Sequence, residues 1–495
     1  MMLIALQLGA SLAGVLSMGH VAARLLRIVQ RRPWYEKAAQ SFLLGTGAIS
    51  LLVFYVSLLD SRLALRTTFF VVFLSLLYVL GNATYQAITH WAGHRADQEQ
   101  GKRWLPGLTS SWLPPLLLLI LSSQIASLAL AALQTDLGWD GLAIWGIKAK
   151  AFSLEGGVSR SHIDDLSRMW SHLGYPLLVP LSEAWVYLLL GEVDEQWVKV
   201  LFVGFAVSLM VLFYCAVQRR HSVPYGLTST ILLAMTPTLI MYSSSGYADV
   251  PLSALALGTS VGVYFWIQGH RLDDLRSAAV LSALGMWCKR EGVVLWLVNL
   301  CAVSVLALTS RDQTWRCRVK AVLTYLLPGA MILPWFLYLS LRDVPDNDFA
   351  SVTMQAFLTN AHRFPVLCRM LLAELTSTRW GALWILYLLS VLFPSPKRIS
   401  IGKSYLFIVV GVYIWLITGS FVFSIWPSYI LHVETSLSRL VLHVAPIAAF
   451  FIAVRFASHQ GFRSARQGRG QAGEKWTRIN THRIRATGWR KDVVG

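Results

Sequence analysis

Charge is scarce in this chain. Of 495 residues, 14% are Asp, Glu, Lys or Arg, against roughly 25% in a soluble globular protein. Length alone would allow about three soluble domains, and the shortage of charge excludes them. Cysteine is scarce too. Cys215, Cys288, Cys301, Cys317 and Cys368 are scattered, with no Cys-x-x-Cys pair, so neither a disulfide framework nor a zinc site is suggested. No Lys or Arg precedes Arg24. The N-terminus therefore lacks the basic start of a signal peptide and reads as a retained first span. Missing as well are a His-Glu-x-x-His helix, a P-loop and a Gly-x-Ser-x-Gly elbow, which argues against soluble nucleotide-dependent chemistry.

What is plentiful is apolar sequence. Hydrophobic residues make up 55% of the chain, and mean hydropathy is +0.55. That excludes disorder as the main state and makes the chain a polytopic membrane protein. Thirteen stretches approach the roughly 20 residues a span needs: 3–22, 39–59, 67–90, 112–134, 198–218, 225–244, 248–267, 277–288, 292–309, 321–341, 380–394, 404–425 and 438–454. The expected fold is an all-α transmembrane bundle of about thirteen spans. Segment 176–191 is also apolar, and charge decides its role. If it does not cross and the N-terminus is outside, 29 of the 43 Lys and Arg fall inside. If it crosses, Arg219, Arg220, the 311–320 cluster and the tail move away from Arg24–Lys37. The first arrangement fits better. It makes 176–191 a juxtamembrane or re-entrant helix within one long outer loop, 135–197. A second outer loop, 342–379, opens with Asp343, Asp346 and Asp348.

Net charge is +18, and residues 455–495 carry ten Lys or Arg against two Asp or Glu. That tail suits anionic lipid at a cytoplasmic surface better than nucleic acid. The expected organisation is 1–111 as additional N-terminal spans, 112–454 as a core, and 455–495 as a basic cytoplasmic tail. No heptad or short-period repeat is present.

Residues able to carry chemistry gather at outer positions. Asp140, Ile144 and Lys148 are spaced by four, near one helix face. Asp140 beside lysine could serve as a general base or simply cap a helix. Trp139 and Trp145 suit the membrane interface. Next comes His172-Leu-Gly-Tyr175-Pro176, where His172 and Tyr175 could reach a phosphate or sugar or merely anchor at the interface. Asp249, in Tyr247-Ala-Asp249-Val-Pro251, is a second acid or a helix cap. Lys289-Arg290-Glu291-Gly292 places two cations and an acid at a membrane boundary, where charge is costly unless paired or solvated. It reads as an anion site or a self-paired turn. Arg439 pairs with Glu434 or faces the same anion.

In order, these elements resemble the GT-C glycosyltransferases, in the branch of protein mannosyltransferases and the lipid A aminoarabinose transferase. The matching pieces are Trp139-Asp140, Tyr175-Pro176, Gly191 with Glu195 and Lys199, Tyr247-Ala-Asp249-Val-Pro251, and Lys289-Arg-Glu-Gly292. They span roughly 112–454. The family often has two adjacent acids in the first loop. Here Trp139 precedes Asp140, so Asp136 stays a rival. The Tyr175-Pro176 element lacks the family's lysine, for which His172 is the substitute.

The resemblance implies a membrane enzyme that moves a sugar from a polyprenyl-phosphate donor to a lipid, glycan or protein hydroxyl, with inversion. The active site would be on the non-cytoplasmic face of the cell's inner or plasma membrane. Asp140 and Asp249 would be catalytic. Lys289, Arg290, His172 and Arg439 would hold the donor phosphate, with Asp136, Lys148, Tyr175 and Glu291 near the substrates. No cofactor is assigned by the residues, and a divalent cation is possible, as in some relatives. The competing expectations are a transporter or lipid-sugar flippase, and an oligosaccharide ligase or polymerase.

Overall fold

The structure, a computed structural model, describes residues 1–28, 32–93, 112–310, 313–342, 344, 348–392 and 400–456. The basic tail beyond 456, Asp343 and Asp346 lie outside the described residues.

Hydropathy dictates the architecture. In lipid every backbone N–H and C=O must be satisfied internally, and a helix does this within one segment. Among the described residues there is no strand, only an isolated bridge between Phe349 and Ser424. Among the described residues nine helices are long and apolar enough to cross a membrane: α1 (Met2–Leu25), α2 (Trp34–Leu59), α3 (Ser61–Gln86), α4 (Leu113–Gln134), α5 (Trp197–Gln218), α6 (Asp249–Gly269), α7 (Glu291–Thr309), α8 (Trp315–Ser340) and α9 (Ile401–Phe423). Two bent pairs bring the number to as many as eleven: Val223–Ala234 with Pro237–Ser244, and Tyr429–Leu442 with Ala445–Phe456. The protein is an all-α polytopic bundle.

The count departs from thirteen at 277–288 and 380–394. The second is a ten-residue helix, Leu383–Leu392. The first lies within Leu272–Cys288, whose first turn carries Asp273 and Asp274. It still runs antiparallel along α6: Gly258 faces Leu281, and Gly262 meets Ala278 and the Asp274 carbonyl. Its polar start is neutralised by packing. Arg32 bonds Asp274 at 2.5 Å and Glu36 at 2.6 Å, and Arg219 pairs with Glu36. These four charges come from three segments expected on one side, and they meet at one end of the bundle.

The first three helices share the core. α2 packs on α5 and on the helix Leu178–Leu190, which is apolar and mostly buried. Both ends of Leu178–Leu190 lie toward the end opposite the four charges. Gln7 near the start of α1 donates to the Leu190 carbonyl at 3.0 Å, while Tyr175 just before it touches Asp348. The helix enters and leaves at the same end, as a re-entrant element does.

Candidate active site

At that end several distant pieces of chain converge. The segment after α4 reaches Asp140 through glycines. The Gly138 amide donates to the Ser245 carbonyl at 2.8 Å, and a Cβ on Gly141 would sit 2.6 Å from the same oxygen. Only a bare backbone allows this approach. It carries Asp140 to the turn before α6, where Arg439 lies 5.4 Å over the Tyr247 ring and donates to the Asp140 carboxylate. The two side chains are 15% and 14% exposed, so the pair is largely withdrawn from water yet open to a ligand. Arg439 bonds Asp140 rather than Glu434. Asp136 is exposed and makes no hydrogen bond or ion pair; its charge acts on Lys199.

Lys148 is not the neighbour of Asp140 that the spacing of four suggested. Gly141–Gly146 forms a π-turn, which takes more residues per turn than 3.6 and breaks the shared face. Lys148 is fully buried, and its ammonium donates to the His172 carbonyl at 2.6 Å. Burial, and then the charge of Arg290, hold it well below its usual lysine range. His172 has a φ of 51°, a left-handed conformation uncommon outside glycine. Its ring stacks on Tyr175 at 4.6 Å, and its Nδ1 lies 3.3 Å from Asp348.

Tyr175 is the hub of this second cluster. Lys148 and Arg290 lie 5.7 and 5.2 Å from its ring centre, at cation–π distance. Its hydroxyl donates to Asp348 at 3.3 Å. Trp145 is not an interface anchor; it is 1% exposed, 5.6 Å from the Tyr175 ring. Trp139 is 74% exposed. Asp348 also accepts from Trp426 at 3.1 Å. Burial pushes the Asp348 carboxyl up, but the hydrogen bonds from His172 and Trp426 prevail and lower it to about 2. One carboxylate thus ties the second outer loop to the first.

Asp249 is the first residue of α6 rather than its cap. It is 1% exposed and takes Lys289 and His443 Nε2 on one oxygen, each at 2.8 Å. Lys289 also lies 3.1 Å from Glu291. Burial alone would lower the lysine, but Asp249 and Glu291 hold it above its usual range. His443 and Tyr413, 2.7 Å apart, are additions that sequence reasoning missed. Gly292 has its own role, since a Cβ there would overlap the Gly285 carbonyl at 2.0 Å. The glycine lets Lys289 turn between two helices.

Among the described residues no three His, Cys, Asp or Glu side chains converge as metal ligands. The arrangement offers a partly exposed acid, Asp140, at 15% side-chain exposure, while Glu291, at 21%, is already paired with Lys289. A cation, Arg439, is held against Asp140, and its charge also acts on Asp249. A cationic aromatic wall surrounds Tyr175.

No family model and no curated protein matches the chain. Among solved structures it is similar to the crystal structure of ArnT from Cupriavidus metallidurans bound to undecaprenyl phosphate, at 13% identity and a TM-score of 0.45. The match covers 69% of this chain and 60% of that one.

Proposed function

We propose that the chain is a membrane glycosyltransferase of the GT-C type, which moves a sugar from a polyprenyl-phosphate donor to an acceptor hydroxyl on the non-cytoplasmic face, with inversion. One observation carries this reading: an acid and several cations from sequence-distant segments gather at one end of a lipid-embedded bundle. A lipid phosphate is already a competent leaving group, so the reaction needs a base for the acceptor and cations for the departing phosphate.

Asp140 takes the proton of the acceptor hydroxyl. The acceptor oxygen bonds to the sugar's anomeric carbon from the face opposite the phosphate. The carbon–oxygen bond to phosphate breaks, and the electron pair leaves with the polyprenyl phosphate. Arg439 holds Asp140 in place. Arg290 beside Tyr175 offers charge to the phosphate oxygens, which gain charge as the sugar leaves, and buried Lys148 braces the His172 carbonyl beside it. Lys289 already serves two carboxylates, so its part is to fix Asp249 and the turn that presents Arg290. Both Lys289→Ala and Arg290→Ala are expected to weaken donor binding and slow transfer.

The test is binding of polyprenyl phosphate, which every such donor releases whatever its sugar, to the protein in nanodiscs. Saturable binding weakened by Arg290→Ala supports the reading. Absence of saturable binding by wild type sinks it.

A further inference from the structure

At the end of the bundle opposite Asp140, α1, α2 and α3 enclose a groove of about 420 Å³. Its walls are built at helical spacing. Leu16, Ser17 and His20 line it from α1, and Trp34, Lys37 and Ser41 recur at i, i+3 and i+7 on α2. Leu76 and Val79 close it from α3. His20 and Lys37 lie near the ends of α1 and α2, and Leu16 and Ala13 lie one and two turns further in, with Ser17 and Ser41 among them. This is the shape of an amphiphile rather than of a soluble ligand.

Polar capacity here is unspent. The His20 ring, the Lys37 ammonium and the Ser41 hydroxyl make no hydrogen bond or ion pair within the described residues, although Ser41 is 5% exposed. Arg24, one turn beyond His20, adds a further positive charge while donating to Tyr78 at 3.2 Å. α2 starts at this point without a side-chain cap, so the positive end of its dipole is also present. Trp34 is 78% exposed, as suits an indole at headgroup depth. No carboxylate lines the groove.

We propose that this groove is a binding site for one anionic phospholipid. Its phosphate accepts hydrogen bonds from Lys37, His20 and Ser41, and its acyl chains lie along Ala13, Leu16 and Leu76. The site is remote from Asp140 and does not depend on the proposed transfer reaction. It would moor the first three helices, which pack against the core, to a negatively charged leaflet.

Native mass spectrometry of the full chain in detergent tests this with dioleoylphosphatidylglycerol and dioleoylphosphatidylcholine as probes. Wild type is expected to retain one phosphatidylglycerol at concentrations where phosphatidylcholine is not retained. His20→Ala/Lys37→Ala should weaken that retention at least about fivefold, the scale of one basic residue at an anionic surface. Lys37→Arg should keep it. Arg316→Ala/Lys320→Ala removes more positive charge, from a different groove on α8, and should leave it unchanged. Equal retention of the two lipids by wild type would overturn the proposal without any variant. So would wild-type retention by the double variant, or equal loss in the α8 variant.

Discussion

Arg439 donates to the carboxylate of Asp140 across 299 residues of chain. The bond joins the first outer loop to the bent helix pair that ends the described bundle. It also separates the two first-loop aspartates, because Asp136 is exposed and unbonded. Asp140→Asn is expected to lower transfer about 10²–10⁴-fold, the usual cost of losing a general base, and to spare donor binding. Asp136→Asn should stay near wild type. Single-turnover kinetics with both variants check this, and the opposite pattern would transfer the role to Asp136.

The Asp249–Lys289 pair is more deeply buried than Asp140–Arg439. Both partners are nearly sealed from solvent, at 2% and 5% side-chain exposure. Removing one member of a buried pair leaves an uncompensated charge and costs about 3–5 kcal/mol. Lys289→Met should therefore lower the unfolding midpoint in detergent, and adding Asp249→Asn should recover part of the loss. An unchanged midpoint in the single variant would contradict the pairing.

Sidedness is a prediction from the expected partition of basic residues, 29 of 43 on one side. In the folded chain, Arg32, Arg219 and Asp274 meet at one end and Asp140, Asp249 and Lys289 at the other. With the native cysteines replaced by serine, a cysteine at 139 should react with an impermeant maleimide on intact cells. A cysteine at 273 should react only after permeabilisation. The reverse pattern would invert the topology.

His162 gives a pH dependence. Burial, then the charges of Lys148 and Arg168, lower it to about 4. Arg168 lies 2.9 Å from Nδ1, which suits a neutral ring. The unfolded chain then binds the proton more readily. Stability is full above about 6.5 and is lost as pH falls from there toward 4. The unfolding midpoint should drop over that window, and His162→Gln should flatten the slope. An equal slope in the variant would assign the dependence to other groups.

Much of this was legible in sequence because lipid imposes its own rule: apolar segments of sufficient length must be helices, and most of the expected stretches lie on one, while 225–244 and 438–454 are each broken into a bent pair. The charged turn at Lys289 and the acids at Asp140 and Asp249 stood out because charge is rare here. Pairing across the fold was not legible. Nothing local says that Arg439 would choose Asp140 over nearby Glu434. His443 passed unnoticed because a lone histidine in an apolar run reads as a core residue, and only the fold puts Asp249 and Tyr413 on its two nitrogens. The π-turn at Gly141–Gly146 was hidden because periodicity arguments assume 3.6 residues per turn. Trp145 and Lys148 consequently changed sides, from interface to interior.

The central claim, sugar transfer from a lipid phosphate with Asp140 as base, is tested most directly by profiling lipid-linked glycans in cells lacking the gene, complemented with wild type or with Asp140→Asn. The account predicts that the deletion accumulates a polyprenyl-phosphate sugar and loses one glycosylated product. Wild type should restore the product, and Asp140→Asn should leave the profile as in the deletion while the protein is present in the membrane. Unchanged donor and product pools in the deletion, or full restoration by Asp140→Asn, would contradict it.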